Sequence, residues 1–330
     1  MTAPEGQISA ALPPVSTLPA LPANWYILAG SHELKPGQVL TRTLLDREYV
    51  LYRAPSGKVA TYAPHCAHMG CHLKHAEAAD DSILCAMHHR KIGLDGAFLR
   101  PDGQKSRDLV QRTFPTQETL SAIFVFVGPG DPPPLPVPVL AANGPVITRF
   151  AGTLDSDATW FSLVANGFDM EHLASVHDRV LREDPLVEEP VPGAFRIAYH
   201  TRVTGRGLAD RVVKWISNDS IHASMTALKG SMILVQSEVG RPSFCILSMC
   251  PDGKGGTLVR GIVGINGARG TFWDWLRLRL TSKLFIDFLA KDFEVMKGLR
   301  WTPPAHEHTP GDAYSRRLHR YFCAQSAADE

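Results

Sequence analysis

Two pairs of metal-binding side chains constrain this 330-residue chain more than any other feature. Cys66 and His68 form C-x-H, Cys85 and His88 form C-x2-H, and both lie within CAHMGCHLKHAEAADDSILCAMHH. A fold that uses them must pinch two loops together, each offering one thiolate and one imidazole to a common centre. That donor set suits a [2Fe-2S] cluster in which two imidazoles replace two thiolates on one iron. It also suits tetrahedral Zn2+, although zinc fingers rarely use a C-x-H pair.

The flanking sequence supplies the strands that such loops need. From Trp25 the chain breaks into the short runs WYILAG, QVLTRTLL and EYVLYRAPSGKVATYAP, the last with a turn at Ser56 and Gly57. Cys66 and His68 then follow one strand of a small antiparallel unit, and Ile83-Leu84 leads into Cys85 and His88. AIFVFVG alternates as a further strand, and the run GPGDPPPLPVP reads as a polyproline II spacer ending near residue 138. These signals divide the chain into a flexible tail over 1–23, a β domain over 24–138 and a second domain over 139–330. Each domain is long enough to carry its own core.

Composition narrows the partners. With 44% apolar and 20% charged residues the chain reads as an ordinary soluble globular protein. A net charge of +1 without a dense basic block argues against nucleic acid and favours a small molecule. Six cysteines are too few for a disulfide scaffold and fit a reducing cytoplasm. The first 25 residues hold no Lys or Arg and are broken by prolines, so neither a signal peptide nor a transmembrane segment is expected.

A second constellation lies in NGFDMEHLASVHD, residues 166 to 178. On a regular helix Asp169 and His172 share a face, whereas His172 and His177 diverge by about 140°. Both imidazoles reach one metal only if the helix widens or breaks, as in a π-type turn. A carboxylate is expected on the last long helix, TFWDWLRLRLTSKLFIDFLAKDFEVMKGLRW, whose apolar stripe runs through Phe285, Phe288, Leu289, Met296 and Leu299. Asp292 sits inside that stripe; Asp287 and Glu294 do not. A carboxylate facing a core needs a partner, either a salt bridge or a cation. His172, His177 and Asp292 together match the two-histidine, one-carboxylate facial triad that holds mononuclear Fe(II).

Residues 24 to 130 resemble the Rieske domain of the Rieske non-haem iron oxygenases, and the second constellation extends the resemblance to the other half. The resemblance implies an α+β fold: an N-terminal all-β Rieske domain, then a helix-grip, START-like antiparallel sheet wrapped on a long C-terminal helix. Strand-like runs near 195–204, 221–228, 231–238, 243–249 and 257–265 agree with it. By the same resemblance Asp169 is the carboxylate bridging the two metal centres and Asn166 the polar residue near the iron. His88 would hydrogen-bond Asp169 of a neighbouring subunit, Asp169 would orient His172, and the assembly would be a homotrimer. The first loop is also similar to that of respiratory Rieske proteins, whose second cysteine forms a disulfide. Met87 stands where the partner would be, so Cys71 is expected to be an unpaired buried thiol.

No G-x-G-x-x-G follows a strand, so no bound flavin or nicotinamide is expected, and electrons would come from a separate NAD(P)H-dependent reductase or ferredoxin. The implied activity is that of a terminal oxygenase, which uses O2 to hydroxylate, demethylate or desaturate at a C-H bond. The ending KDFEVMKGLRW resembles the single-chain steroid and sterol oxygenases and points to a hydrophobic, polycyclic substrate. The same skeleton serves oxygenases of aromatic acids and quaternary amines. A non-catalytic electron carrier would leave the second constellation unexplained. Trp273 and Trp275, with Arg277, Arg279 and Lys283, are expected to pack as core with a solvated basic side rather than to meet a membrane.

Overall fold

The computed structural model describes residues 19, 21, 23–267, 270–304 and 309–326. The expected tail over 1–23 therefore lies outside the described residues, apart from residues 19, 21 and 23. Three small antiparallel sheets open the chain. One joins β1 (Asn24–Gly30) to two later strands, and a second starts with β2 (Gln38–Leu44), β3 (Arg47–Arg53) and β4 (Val59–Tyr62). The third is β5 (Glu77–Ala78), β6 (Ser82–Leu84), β7 (Lys91–Gly93), β8 (Ala97–Leu99) and β9 (Lys105–Val110). Then β10 (Thr113–Phe114) completes the second sheet, while β11 (Thr116–Thr119) and β12 (Ala122–Val127) complete the first. The hairpin of β3 and β4 turns at the expected place, with Gly57 at φ 90°.

Beyond the proline run come α1 (Val139–Ala142), β13 (Val146–Ser156), α2 (Trp160–Phe168) and α3 (His172–Ser175). Pro138 holds φ −55° and ψ 141°, close to polyproline II, and the Trp25 indole N–H donates to the Pro133 carbonyl at 2.8 Å. There follow β14 (Arg179–Leu181), β15 (Leu186–Glu188), β16 (Ala194–Val203), α4 (Leu208–Ile216), β17 (Ile221–Leu228), β18 (Met232–Val239), β19 (Arg241–Pro251) and β20 (Thr257–Asn266). Eight of these strands make one antiparallel sheet in the order β13-β20-β19-β18-β17-β16-β14, with β15 also paired to β16. The helix α5 (Phe272–Val295) packs on β13 and β20.

The α+β helix-grip expectation is thus met, with additions. The 11-residue strand β13 was not among the expected runs, because its burial alternates weakly and Thr, Arg, Gly and Asp interrupt its apolar positions. The stretch 271–301 is not the last long helix: a 17-residue helix, α6 (Pro310–Ser326), follows and packs on α2. Its start is marked by the reciprocal cap of Thr309 and Asp312, with Pro310 at the first helical position. Trp273 and Trp275 are exposed, 73% and 49%, rather than in the core, because the buried face of α5 begins only at Leu278.

Strand β1 is buried at all seven positions, and its period of two explains why. Trp25 and Ile27 enter a core shared with Phe244, Ile246 and Ile262 of the large sheet. Tyr26 and Leu28 face the other way, into a core with Leu44, Tyr49 and Leu51. The same alternation splits β19: Phe244 and Ile246 look toward β1, while Cys245, Leu247 and Met249 look toward α2 and α5.

Candidate metal centres

The two cluster loops are copies of one another at the level of backbone. In the first, the Cys66 N–H donates to the Cys71 carbonyl at 2.8 Å and the Gly70 N–H to the Cys66 carbonyl at 2.8 Å. In the second, the Cys85 N–H donates to the Arg90 carbonyl at 3.0 Å and the His89 N–H to the Cys85 carbonyl at 2.8 Å. Each loop needs a left-handed residue at its fourth position after the cysteine: Gly70 at φ 77° and His89 at φ 50°. Closed in this way, the loops bury Cys66 and Cys85 and bring their thiols within hydrogen-bonding reach of each other. The rings of His68 and His88 meet at 4.9 Å between centroids, His88 exposed and His68 half-buried.

Two thiols face each other and two imidazoles face each other, which is the arrangement a Rieske cluster requires. Burial pushes the Cys66 thiol up, so its thiolate calls for nearby positive charge. Cys71 is free but half-buried, not buried, because its carbonyl rather than its side chain closes the loop; its thiol lies within hydrogen-bonding reach of Cys85. Gln111, which sequence reasoning passed over, braces the first loop. Its side chain accepts from the Ala67 N–H at 2.8 Å and donates to the carbonyls of Ala63 and His65 at 3.1 Å.

The second centre depends on a broken helix. The chain leaves α2 at Asp169, which is extended at φ −81° and ψ 105°, and re-enters a helix only at His172. The Asp169 carboxylate accepts from the Glu171 N–H at 2.9 Å, an alternative to continued helix that Asp favours. His177 lies beyond the second stop, at Val176. The break, rather than a π-type turn, reconciles the two imidazoles, whose centroids are 5.2 Å apart. The His172 ring hydrogen-bonds through Nδ1 to the main-chain carbonyl of Asp169. Among the described residues, no hydrogen bond joins Asp169 to His88 within the chain.

Asp292 completes this group. One carboxylate oxygen lies 2.7 Å from His177 Nε2 and 3.6 Å from His172 Nε2. One ligand atom from each of His172, His177 and Asp292 falls within 4.8 Å of the others, and all three residues are buried. Asp287 and Glu294, off the buried face, instead pair with Lys283 and Lys297 on the surface. Burial holds the His172 imidazole below its ordinary value against the opposing pull of Asp292. The Phe288 ring stacks on His177 at 3.5 Å. No Lys or Arg pairs with Asp292 among the described residues, so a buried carboxylate between two imidazoles fits a divalent cation of the iron type.

This group opens onto a cavity of about 910 Å³. Asn166, Met225, Leu247, Phe285 and Leu289 contribute to its largely apolar wall. Tyr199 also lines it, and burial pushes its hydroxyl up to about 12, so a neutral donor stands near Asp292. Tyr199 gave no signal beyond an aromatic residue in a strand.

Comparison with known proteins agrees with a Rieske domain in the first half of the chain. Residues 24–115 match the Rieske [2Fe-2S] domain. Curated relatives include a cholesterol 7-desaturase from Ciona intestinalis, 28% identical over 48% of this chain and 35% of that protein. The iron-sulfur subunit of a toluene-4-sulfonate monooxygenase system from Comamonas testosteroni is 24% identical over 62% of this chain and 59% of its own. The matches thus span less than two thirds of these relatives' length. The fold is similar to that of dicamba monooxygenase bound to dicamba, with a TM-score of 0.66 at 18% identity, covering 94% of this chain and 98% of that one. A Rieske domain thus stands beside a helix-grip sheet that carries a buried His-His-Asp group. Residues 24–115 carry a Rieske [2Fe-2S] domain, and the chain is similar to the Rieske non-haem iron oxygenases.

Among the described residues no helix is long and apolar enough to cross a membrane.

Proposed function

We propose that the chain is the terminal oxygenase of a multicomponent system, acting on a hydrophobic, steroid- or sterol-like substrate. The observation that carries this reading is the buried His172, His177 and Asp292 group at the wall of a large apolar cavity. Along α5 the lining runs from Trp273 to Phe293, about 30 Å at the helical rise, long enough for a four-ring skeleton and its side chain. Its volume lies near the upper end for small-molecule sites.

Cys66, His68, Cys85 and His88 would hold one [2Fe-2S] cluster; His172, His177 and Asp292 would hold one mononuclear Fe(II). When bound, the cluster supplies one-electron relay and the mononuclear iron supplies O2 activation. Asp169 fixes the His172 tautomer through its main-chain carbonyl, which leaves Nε2 turned toward Asp292. Phe288 holds the plane of His177. The apolar walls exclude water and hold the substrate carbon near the triad, while Tyr199 and Asn166 offer polar contacts beside it. In a hydroxylation one oxygen atom of O2 joins carbon and the other leaves as water, with two electrons and two protons supplied from outside. The electrons would come from a separate NAD(P)H-dependent reductase or ferredoxin.

We further place the chain in the cytoplasm, in a homotrimer where the exposed His88 of one subunit meets the half-buried Asp169 of the next. The test is metal and sulfide analysis on anaerobically purified protein, with an electron paramagnetic resonance spectrum after reduction. About three irons and two sulfides per chain, followed by turnover of a steroid panel with a generic reductase, are expected. Zinc without sulfide would remove the cluster. Turnover confined to small aromatic acids or amines would remove the steroid-like substrate and keep the oxygenase.

A further inference from the structure

The rim of the cavity carries an apolar surface that the proposed chemistry does not use. On α4, Leu208, Val212, Trp215 and Ile216 fall within about 100° of one another, and all are exposed, Trp215 at 83%. Among the described side chains of this helix only Val213, beyond the Ile216 edge of that face, is buried. An outward apolar face reverses the usual arrangement of a helix packed on a globular core.

The first half of α5 repeats it. Phe272, Leu276, Leu280 and Leu284 recur every fourth residue and are exposed, with Trp273 beside them. Both faces meet at one end of the sheet. Ile216 lies against Gly240 in the turn between β18 and β19, and an Arg277 guanidinium N–H donates to the Pro242 carbonyl of the same hairpin at 3.1 Å. Trp215, Ile216, Trp273, Leu276 and Leu280 also line the cavity, so the exposed surface and the cavity mouth are continuous.

The charges flanking this surface are mainly basic. Arg206, Arg211 and Lys214 accompany α4, and Arg241, Arg277, Arg279 and Lys283 accompany the hairpin and α5. Lys214 pairs with Asp219, Lys283 with Asp287 and Asp210 with Arg179, Asp274 caps α5 and Glu238 is exposed on the hairpin, which leaves the arginines in excess. Arg241 and Arg277 stand close enough that Arg241, after burial, holds the Arg277 guanidinium below its ordinary value. Among the described residues neither has a carboxylate partner within salt-bridge distance.

We infer that α4 and the first half of α5 form a docking face for an anionic lipid surface, from which an apolar substrate enters the cavity directly. Aromatic and leucine side chains bordered by guanidinium and ammonium groups are the composition that inserts shallowly at a lipid-water interface and prefers anionic headgroups. Charge complementarity favours this occupant over a second copy of the chain, whose own basic rim would repel it. Entry of the substrate rests on the oxygenase reading, whereas adsorption to lipid needs neither iron nor turnover, so the two fail separately.

The test is co-sedimentation of the full chain with vesicles of phosphatidylcholine alone or with about one quarter phosphatidylglycerol. Binding to the anionic vesicles, weakening as salt rises, is expected. The double variant Trp215→Ser, Trp273→Ser should lower the partition coefficient roughly tenfold or more, and Arg211→Gln with Arg279→Gln should erase the preference for anionic lipid. Cluster absorption and circular dichroism establish that each variant is folded. Absence of binding to either vesicle at low salt overturns the inference. So does a change in the sedimentation coefficient of the tryptophan variant without vesicles, which would assign the face to contact between copies.

Discussion

The cluster loops draw four ligands from residues 66 to 88 and close each loop with its own backbone hydrogen bonds, whereas the triad joins His172 and His177 to Asp292, 115 residues beyond His177. The first centre has buried thiols and outward imidazoles; the second is buried throughout. One is specified by a local motif on turns that need little else. The other exists only when the sheet, the broken helix and α5 have all packed.

The largest effect is expected from His172→Ala. Turnover should fall by more than roughly a hundredfold while the visible spectrum of the cluster stays unchanged; retained turnover would separate the triad from catalysis. Cys85→Ser should do the converse, bleaching the cluster while mononuclear iron still binds, and loss of both metals together would mean that the centres are not independent.

Acid should act on the triad. Because burial lowers the folded His172 value, the unfolded chain binds the proton first. Metal-free stability then falls as pH drops below the ordinary histidine value of about 6.5 and levels off once the folded group has titrated. Denaturant melts across that window, on wild type and His172→Gln, would measure it; equal slopes would discard the burial argument.

Gly70→Ala should cost about 1 kcal/mol, and His89→Gly should add several tenths of that, if both loops demand the same left-handed turn. A stabilising Gly70→Ala or a destabilising His89→Gly in thermal melts would refute the equivalence. A comparably small effect is expected at Arg53, whose guanidinium donates to both oxygens of Glu118 at 2.6 Å and holds that carboxyl below its usual range. Glu118→Gln should cost about 1 kcal/mol at neutral pH, a difference that closes as pH falls through the lowered value and is read in the same melts.

What the sequence revealed follows the same division. Cys66, His68, Cys85 and His88 were legible because spacing alone brings them onto adjacent turns. Asp292 was legible as a carboxylate in an apolar stripe, yet nothing local said that the helix before His172 would stop at Asp169. Trp273 and Trp275 misled because aromatic residues at a helix start carry no information about where the sheet begins. The helix α6 was missed although Thr309, Pro310 and Asp312 spell its cap. Tyr199 acquires its position from strand pairing, which no short-range pattern records.

The two-sided burial of β1 has a mechanical consequence. Trp25 and Ile27 belong to one core and Tyr26 and Leu28 to another, while the Asn24 side chain donates to the Leu228 carbonyl at 2.9 Å and the Ser231 hydroxyl at 3.1 Å. A strand shared in this way leaves no hinge between the halves of the chain. Heating should therefore melt both in a single cooperative step, and whatever separation the fold sets between the cluster and the triad of one chain stays constant for as long as the protein is folded.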